Sequence, residues 1–387
     1  MKIKIWKINK LEKICEILDN KRVPISQKDR ISGIYPYYGA SGIVDYIDKY
    51  IFDEELVLIG EDGAKWDAFE NSAFIASGKY WVNNHAHILK PNNEILINKF
   101  LVYFLNYSNL EKYITGATVK KLNQQKLKQI EIPLPPLKEQ ERIVGILDES
   151  FAKIDESIKI LEQNLLNLDE LMQSALQKAF NPLKDNAKEN YKLPQGWEWK
   201  SLGDISNYGK TSQVKPSQLK GNDWILELED IEKESGVLLQ KVLFQDRQSK
   251  SNKIKFNKGD ILFGTLRPYL KKVIIANDNG ACSSEIMPFS TGNSIANHFI
   301  YYYLFANFLH DRISSLTYGA RMPRLGTKDG KSLQIPLPPL QEQEQIAEHL
   351  DFVFEKAKAL KELYTKELKD YEELKQSLLD KAFKGEL

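Results

Sequence analysis

A hexapeptide, IPLPPL, occurs twice in the 387-residue chain, and the distance between its copies constrains the fold more than any other feature. The copies lie at residues 132–137 and 335–340, an offset of 203 residues, and each is followed by a segment rich in Glu and Gln. A match held in register over this distance indicates an internal duplication, which fixes the architecture before any local prediction. The same offset aligns further residues: Gly116 with Gly319, Leu147 with Leu350, Asp148 with Asp351, Phe151 with Phe354, and Phe180 with Phe383.

Each hexapeptide opens a segment whose apolar residues recur every three or four positions, which predicts one face of a long helix. The tandem prolines forbid an earlier helix but tolerate a first turn, and Asn181-Pro182 ends the first helix. At roughly 1.5 Å per residue each helix would be on the order of 60 Å long, and a single apolar stripe of that length needs a partner. We expect the two helices to pair antiparallel, related by an approximate two-fold axis.

The stretches before the helices differ in sequence, so the predicted domains are 1–131 (variable), 132–182 (helix), 193–334 (variable) and 335–387 (helix). Their openings are alike, with Trp6-Lys7 before LEKI and Trp199-Lys200 before SLGDI. Both contain short β-rich runs, glycine-containing turns and a predicted helix. The strands are expected at 56–59, 260–263 and 273–275, and the helices near 98–107 and 299–308. The predicted fold is α+β: two α+β domains separated by a pair of long antiparallel helices, in an internal pseudo-two-fold repeat.

The formal net charge is only +1, whereas a stand-alone DNA-binding protein usually carries a marked basic excess. Any affinity for DNA must therefore come from local patches or from a partner. Cys15 and Cys282 match no disulfide or zinc spacing. The start of the chain is interrupted by charges and lacks the apolar stretch of a signal peptide or membrane helix, so we expect a cytoplasmic protein with no membrane partner.

Basic, amide and aromatic side chains that can contact phosphates, stack on bases or read base edges cluster in both variable domains. One cluster is SGKYWVNNHAH at 77–87, another is GTLRPYLKK at 264–272, and paired basic residues precede each hexapeptide. The candidate DNA-binding residues are Lys79, Tyr80, Asn83, Asn84, His85, Lys120, Lys121, Arg267, Tyr269, Lys271, Lys272, Arg321 and Arg324. The alternatives are a hairpin with core aromatics and turn-forming amides for the first cluster, and a solvated surface for the charges. Paired placement in the two halves favours binding.

Catalytic and metal-binding patterns are not recognised in the sequence. Five residues separate Gly203 from Gly209-Lys210-Thr211, whereas a phosphate-binding loop has four at this place. No Asn-Pro-Pro-Tyr or Asp-Pro-Pro-Tyr tetrad is present to hold a flipped adenine. Glu61, Asp62 and Lys65 could suit a nuclease that uses metal-bound water, but a turn between strands explains them better. His85 and His87 alternate as on a strand and form a poor metal site. No catalytic or metal-binding residue is assigned, and an enzyme is not expected.

Across essentially its whole length the chain resembles the specificity subunits of type I restriction-modification systems. The resemblance is carried by the doubled IPLPPL motif with its Glu/Gln-rich helices, by the pairs Gly116-Ala117 and Gly319-Ala320, by the endings that contain Lys-Ala-Phe, and by the opening LPQGW at 193–197. Within the variable domains, YYGA at 37–40 and the segment 78–87 resemble one family class, while GDIL at 259–262 and RPY at 267–269 resemble another.

This resemblance implies that each variable domain is a target recognition domain that reads one half of a split, asymmetric double-stranded DNA target. It also implies that the helices set the spacing and dock two methyltransferase subunits, which bind S-adenosylmethionine and methylate adenine. Motor-nuclease subunits that use ATP and magnesium join where the complex also cleaves, and no cofactor is expected in this chain itself. Two alternatives remain open: a scaffold that binds proteins rather than DNA, and a nuclease that uses the Glu61 region and cuts DNA in a metal-dependent way.

Overall fold

A computed structural model describes residues 6–116, 118–183, 192–247, 249–292 and 296–387, so Ala117 of the first predicted Gly-Ala turn lies outside the described residues. The chain divides into two units, one formed by Met1–Glu162 with Thr365–Leu387 and the other by Gln163–Tyr364. Each unit therefore contains one variable domain and part of each long helix. Among the described residues, no helix combines the length and the low charge needed to cross a membrane.

The first unit is built on two sheets, with strand orders β2-β9-β6-β7 and β4-β3-β8-β5, and on a separate antiparallel pair of β1 and β10. The central strand β6 is buried along its whole length because one of its faces packs on α1 and the other packs on the second sheet. Its strands are β1 (Lys7–Lys10), β2 (Cys15–Ile17), β3 (Ser32–Gly39), β4 (Gly42–Ile47), β5 (Phe52–Asp53), β6 (Leu56–Gly60), β7 (Ala73–Ala76), β8 (Lys79–Val82), β9 (Ala86–Pro91) and β10 (Glu131–Leu134). Its helices are α1 (Asn98–Tyr107), α2 (Gln124–Leu127), the first part of α3 (Leu137–Phe180), the last part of α9 (Leu340–Lys384), and the 3-10 turns Leu11–Lys13, Asp19–Lys21, Gln27–Asp29 and Glu111–Tyr113.

The second unit has sheets ordered β12-β14-β17-β13 and β16-β15-β18, with antiparallel pairs β11-β21 and β19-β20. Its strands are β11 (Glu198–Ser201), β12 (Gln213–Val214), β13 (Trp224–Leu226), β14 (Lys253–Phe256), β15 (Ile261–Gly264), β16 (Val273–Ile275), β17 (Gly280–Cys282), β18 (Ile286–Phe289), β19 (Thr317–Tyr318), β20 (Arg324–Leu325) and β21 (Gln334–Leu337). Its helices are the last part of α3, α4 (Leu202–Ile205), α5 (Phe244–Arg247), α6 (Asn297–Tyr303), α7 (Asn307–Leu316), α8 (Thr327–Ser332), the first part of α9 (Leu340–Lys384), and the 3-10 turns Pro216–Gln218, Leu228–Asp230 and Pro268–Leu270.

The hexapeptide has the same structure in both units. Its first three residues end strand β10 or β21, which pairs with the opening strand β1 or β11, and its last leucine begins the long helix. The prediction that the helical segments start at 132 and 335 is therefore wrong by five residues, because the isoleucine and the first proline are held in a strand pair. Asn181 follows the end of α3, as predicted.

The strand register corrects the alignment of the two openings. Ile8 pairs with Pro133, and its counterpart Trp199 pairs with Pro336. The residue that corresponds to Trp6 is therefore Trp197, two positions earlier than the similarity of the sequences suggested. The strand register settles this correspondence because each residue of the opening strand has one defined partner in the hexapeptide strand. The sequence alone does not, since both Trp197 and Trp199 could be aligned with Trp6.

The end of each long helix packs on the variable domain of the unit in which it ends. In the first unit the ring of Phe383 lies 5.4 Å from that of Phe100 and 5.0 Å from that of Tyr107. In the second unit the ring of Phe180 lies 5.1 Å from the rings of both Phe299 and Tyr303. The repeated ending of the sequence thus forms the same aromatic contact twice.

Antiparallel packing of the two helices is seen within each unit. In the first, Arg142 donates to the carbonyl oxygen of Leu387 at 2.8 Å, and Asp155 pairs with Lys375 at 2.5 Å. In the second, Lys361 lies 3.7 Å from Asp169. The predicted α+β fold with a pair of long antiparallel helices is confirmed.

Candidate nucleic-acid interface

In the second unit, the loop after β15 lies beside the β19–β20 hairpin. The backbone N–H of Arg267 donates to the carbonyl of Pro323 at 2.7 Å, and that of Leu325 donates to Thr265 at 2.9 Å. We call residues 265–272 with 317–325 the second loop–hairpin surface. It carries the exposed side chains of Arg267, Tyr269 and Arg321, so candidates more than fifty residues apart in sequence meet on one face.

The shape of this loop is set by two residues in the left-handed backbone region, Arg267 with φ of 49° and Lys271 with φ of 46°. Pro268 between them is buried and anchors the loop, while Tyr269 is 47% exposed. Non-glycine residues adopt this conformation at a cost of the order of 1 kcal/mol, and such strain concentrates at functional sites. The loop therefore presents Arg267 and Tyr269 in a defined orientation.

Two of the predicted DNA contacts in this loop, Lys271 and Lys272, instead make hydrogen bonds within the unit. Lys271 is buried, its Nζ donates to Oδ1 of Asn307, and burial lowers its pKa. Lys272 is half-buried and its Nζ donates to the carbonyl of Leu228 at 2.6 Å. Lys271 is thus wrong as a predicted DNA contact, because its ammonium group is used inside the fold.

Arg324 pairs with Leu266, one of the residues that line an open cleft of about 510 Å³ in this surface. Its Nη2 lies 3.8 Å from Oε1 of Glu285, and the group is half-buried. The cleft is also lined by Arg267, Met322 and Glu227. Its mixture of carboxylates and cationic groups can both accept hydrogen bonds from base amino groups and donate to base or phosphate oxygens.

The first unit has an equivalent surface. Lys121 pairs with Thr115 and with Asp62, just as Arg324 pairs with Tyr318 and with Leu266. The loop after β6, residues 61–65, is thus the counterpart of the loop after β15. We call residues 61–65 with 115–116 and 118–121 the first loop–hairpin surface. The interpretation of the Glu61 loop as a simple turn misses this equivalence. The similar strand endings, LVLIG before this loop and DILFG before its counterpart, are the sequence signal that indicates it.

Three predicted residues of the first unit converge on this surface. His85 Nδ1 lies 2.5 Å from Oδ1 of Asp62, and Lys121 pairs with Glu61 at 2.8 Å, a hydrogen bond that raises the pKa of the lysine. Lys120 is exposed and pairs with Glu111 at 2.5 Å. The ammonium groups of Lys120 and Lys121 are therefore held by carboxylates on their own unit.

The remaining candidates of the first cluster do not form one site. Asn84 is exposed beside His85, whereas Lys79 lies at the other end of β8, with its Nζ 4.8 Å from the ring centre of Tyr50. Tyr80 is fully buried and stacks on Phe52 at 5.5 Å.

Asn83 is 5% exposed, and its Oδ1 accepts the backbone N–H of His85 at 2.7 Å. Tyr80 and Asn83 are thus wrong as predicted contacts. The alternative interpretation, of a core aromatic and an amide that serves a turn, holds for both residues.

Beneath the first surface lies a buried cluster of Asp19, Glu61 and His87 with the spacing of a metal site. Its polar atoms are already used: His87 Nδ1 contacts Asp19 at 2.6 Å, its Nε2 contacts a backbone carbonyl at 2.6 Å, and Glu61 binds Arg22 and Lys121. Burial raises the pKa of Asp19, but the hydrogen bond from His87 and further donors outweigh it and leave that pKa lowered. Both ring nitrogens of His87 are thus engaged by oxygen atoms of the same unit. The cluster acts as an ion-pair network that holds the Glu61 loop in place.

A family model for the type I restriction modification DNA specificity domain matches residues 3–166 and again residues 194–369. The two matches together cover most of the chain. The chain belongs to the type I restriction-modification DNA specificity family. The duplication that the hexapeptides reveal is therefore a duplication of this specificity domain, and the resemblance proposed from the sequence is confirmed.

Two relatives agree with this assignment. A chain of Haemophilus influenzae, provisionally named a type I restriction enzyme specificity subunit, is 30% identical over 352 residues, which cover 89% of this chain and 86% of the relative. The EcoDI specificity subunit of Escherichia coli is 26% identical over 381 residues, with coverage of 92% and 83%.

Two solved structures share the fold. A chain solved in work on complex assembly and conformational transition of the type I R-M system has a TM-score of 0.72 at 20% identity, with all of both chains covered. The HsdS subunit from Thermoanaerobacter tengcongensis has a TM-score of 0.57 at 20% identity, over 99% of this chain and 98% of that one.

As a type I specificity subunit, the chain recognises DNA within a complex and is not itself a catalytic subunit. The scaffold and nuclease alternatives are thereby set aside. The individual DNA contacts stay predictions, and the structure divides them into exposed side chains that can reach DNA and buried ones that cannot.

Proposed function

We propose that this specificity subunit reads a two-part DNA target, with one half contacted by each loop–hairpin surface. The observation that carries the proposal is the repeated pairing of Lys121 with Asp62 and of Arg324 with Leu266, which builds the same surface on both units. The residues at corresponding positions differ, with Glu61 and Asp62 in one loop and Thr265 and Leu266 in the other. Different side chains read different base edges, so the two halves of the target should differ in sequence.

The contacts divide by their chemistry. Arg267 and Arg321 are exposed guanidinium groups that can bind guanine or phosphate in a bidentate way, and Tyr269 can stack or donate a hydrogen bond. On the first surface, Lys65 and Lys120 are exposed and suit phosphate oxygens. We therefore assign sequence reading in the second half chiefly to the arginines, and positioning in the first half to the lysines.

The long helices are proposed to dock two methyltransferase subunits. Both carry exposed large apolar side chains, which a soluble complex would cover. These are Ile160, Leu166 and Leu171 on α3, and Phe352, Leu360, Leu363 and Leu374 on α9. S-adenosylmethionine would bind to those partners, and ATP and magnesium to motor-nuclease subunits where present, with no cofactor in this chain. The net charge of +1 fits this division, since partners that close around the duplex would supply much of the phosphate contact.

The test is to co-express the chain with a neighbouring methyltransferase subunit in a methylation-free host and to map modified adenines by sequencing. We expect a split, asymmetric methylated motif that disappears when this chain is omitted. A soluble complex of the two proteins that methylates no specific motif would contradict the proposal.

A further inference from the structure

Among the described residues, each loop–hairpin surface has one large, exposed, non-aromatic apolar side chain at the turn of its hairpin. Val119 is 67% exposed in the first unit, and Met322 is 53% exposed in the second. The two residues are related by the offset of 203 that relates the hexapeptides, so they occupy the same position in the repeat. Exposed apolar side chains at equivalent places on two surfaces of different sequence indicate a shared role rather than chance.

Both side chains are presented by the same constrained turn. Gly116 and Gly319 open the two turns with φ of 97° and 92°, a region that favours glycine. A Cβ on Gly116 would lie 2.1 Å from the carbonyl oxygen of Val119, and one on Gly319 would lie 3.1 Å from that of Met322. The backbone at Val119 and at Met322 thus lies close to the glycine that opens its turn. This close approach fixes the position of the apolar residue in the turn.

The charged residues nearest in sequence to both side chains are cationic. Lys120 and Lys121 follow Val119, while Arg321 precedes Met322 and Arg324 lies two residues beyond it. Centres of protein–protein interfaces are depleted in lysine and enriched in large apolar groups, which does not fit a single apolar residue among basic ones. Proteins that unstack DNA combine the two features: an apolar wedge enters between base pairs while flanking cations hold the phosphates.

We propose that Val119 and Met322 are the base-step contacts of the two units, each inserting against the stacked bases of its own half-site. The inference rests on the proposed function, because it requires that each surface faces one half of the target. Beyond the proposed function, the inference identifies the residue in each unit that unstacks a base step. Unstacking a step makes a base easier to withdraw from the duplex, which an enzyme that modifies a base requires.

The experiment uses the complex with the methyltransferase subunits, a duplex that carries the mapped motif, and the reactivity of thymines toward permanganate, which rises when a thymine is unstacked. Val119→Ala and Met322→Ala should each reduce reactivity in one half-site only, and in different halves. Each should also weaken binding of the duplex by about tenfold. Met322→Leu should retain the parent's reactivity, because it keeps an apolar side chain of similar volume.

Ile34→Ala and Leu239→Ala are matched controls, because these residues are 78% and 58% exposed on the same two units and lie outside the loop–hairpin surfaces. They should leave the permanganate reactivity of both half-sites unchanged.

Parental reactivity in both halves for Val119→Ala and Met322→Ala would overturn the inference and leave the proposed function intact. Loss of co-purification with the methyltransferase would also overturn it, since the residues would then contact protein. A parent complex without a split methylated motif would overturn both ideas, and the methylation map identifies that case before any variant is made.

Discussion

The side-chain amides of Gln140 and Gln343 make the same hydrogen bonds in the two units. Gln140 accepts the backbone N–H of Ile97 at 2.9 Å, and Gln343 accepts that of Ala296 at 3.1 Å, the residues that precede α1 and α6. Each glutamine also donates to the carbonyl of the fourth residue of its hexapeptide, at 2.9 and 2.8 Å. Both side chains are buried. The Glu/Gln-rich helix openings thus contain a specific tie between each long helix and its variable domain.

Replacing either glutamine by alanine should destabilise the unit that contains it. Gln140→Ala removes the acceptor of one partly buried N–H and the donor to two carbonyls, and we expect a loss of about 2–3 kcal/mol in the free energy of unfolding. Urea denaturation combined with hydrogen exchange would locate the loss in one unit. Gln163→Ala, at an exposed position of α3, is the control and should be neutral. Equal exchange in Gln140→Ala and the parent would contradict the assignment.

The aromatic contacts at the helix ends should differ in strength. Phe180 is fully buried, whereas Phe383 is only partly buried. Phe180→Ala should cost about 3–5 kcal/mol and Phe383→Ala less, because truncating a large buried ring removes packing and leaves a cavity. Limited proteolysis should then expose the second unit in the first variant and the first unit in the other. The reverse order of the two losses would show that the contacts do not carry this stability.

Arg267→Ala should weaken DNA binding by the assembled complex at physiological salt. Arg267→Lys separates two roles, because a lysine keeps the phosphate attraction but loses the bidentate geometry. Weak binding by both variants would indicate base reading, and recovery in Arg267→Lys would indicate a phosphate contact. Tyr80→Phe is the control, since the buried hydroxyl of Tyr80 has no hydrogen-bond partner among the described residues and should not touch DNA. Unchanged affinity of Arg267→Ala would remove this residue from the interface.

Helix length should set the distance between the two half-sites. Inserting one heptad into both α3 and α9 adds roughly 10 Å to each helix and keeps the apolar stripe in register. At roughly 3.4 Å per base pair, the preferred spacer should lengthen by about three base pairs. Methylation mapping of the complex would measure it. An unchanged spacer would refute the role of the helices as a ruler, and a heptad in only one helix is the control that should disturb assembly.

The stability of the second unit should fall as the pH drops below neutrality. Burial lowers the pKa of His310 to about 4, while the unfolded chain would titrate near 6.5. Between these values the unfolded state binds more protons, so the free energy of unfolding decreases with decreasing pH, by up to about 3 kcal/mol. His310→Gln keeps a donor for the carbonyl of Leu304 and cannot titrate. The urea midpoint of this variant should depend less on pH between 7 and 4.5 than that of the parent. The same pH dependence in both proteins would show that His310 is not the source of the effect.

Local sequence patterns were sufficient to predict several helices and strands. Helix α1 spans 98–107 and strand β16 spans 273–275, the bounds predicted from the sequence, because periodicity and β-rich composition are properties of neighbouring residues. The helix expected near 299–308 is instead two helices, α6 and α7, separated by buried residues 304–306. No glycine or proline marks that break, since it arises from packing in the core.

The candidate site was harder to predict, because it depends on contacts across the sequence. Tyr80 and Lys271 have residue types suited to DNA, yet pairing with Phe52 in the first case and with Asn307 in the second places them inside. Conversely, the Glu61 loop became a candidate only once β6 and β15 were seen to be equivalent. Composition gives the chemistry of a side chain, but burial is decided by distant partners.

The division of the long helices between the units has a consequence for the order of synthesis. The second unit ends at Tyr364, whereas the first unit also includes Thr365–Leu387. A ribosome makes the first variable domain early, but Phe383, whose ring packs on it, is made only after the whole second unit. Domains usually fold from the N-terminus during translation. Here the half that is made first is completed last, and a prematurely ended chain would keep its second unit intact while leaving the first without its covering helix.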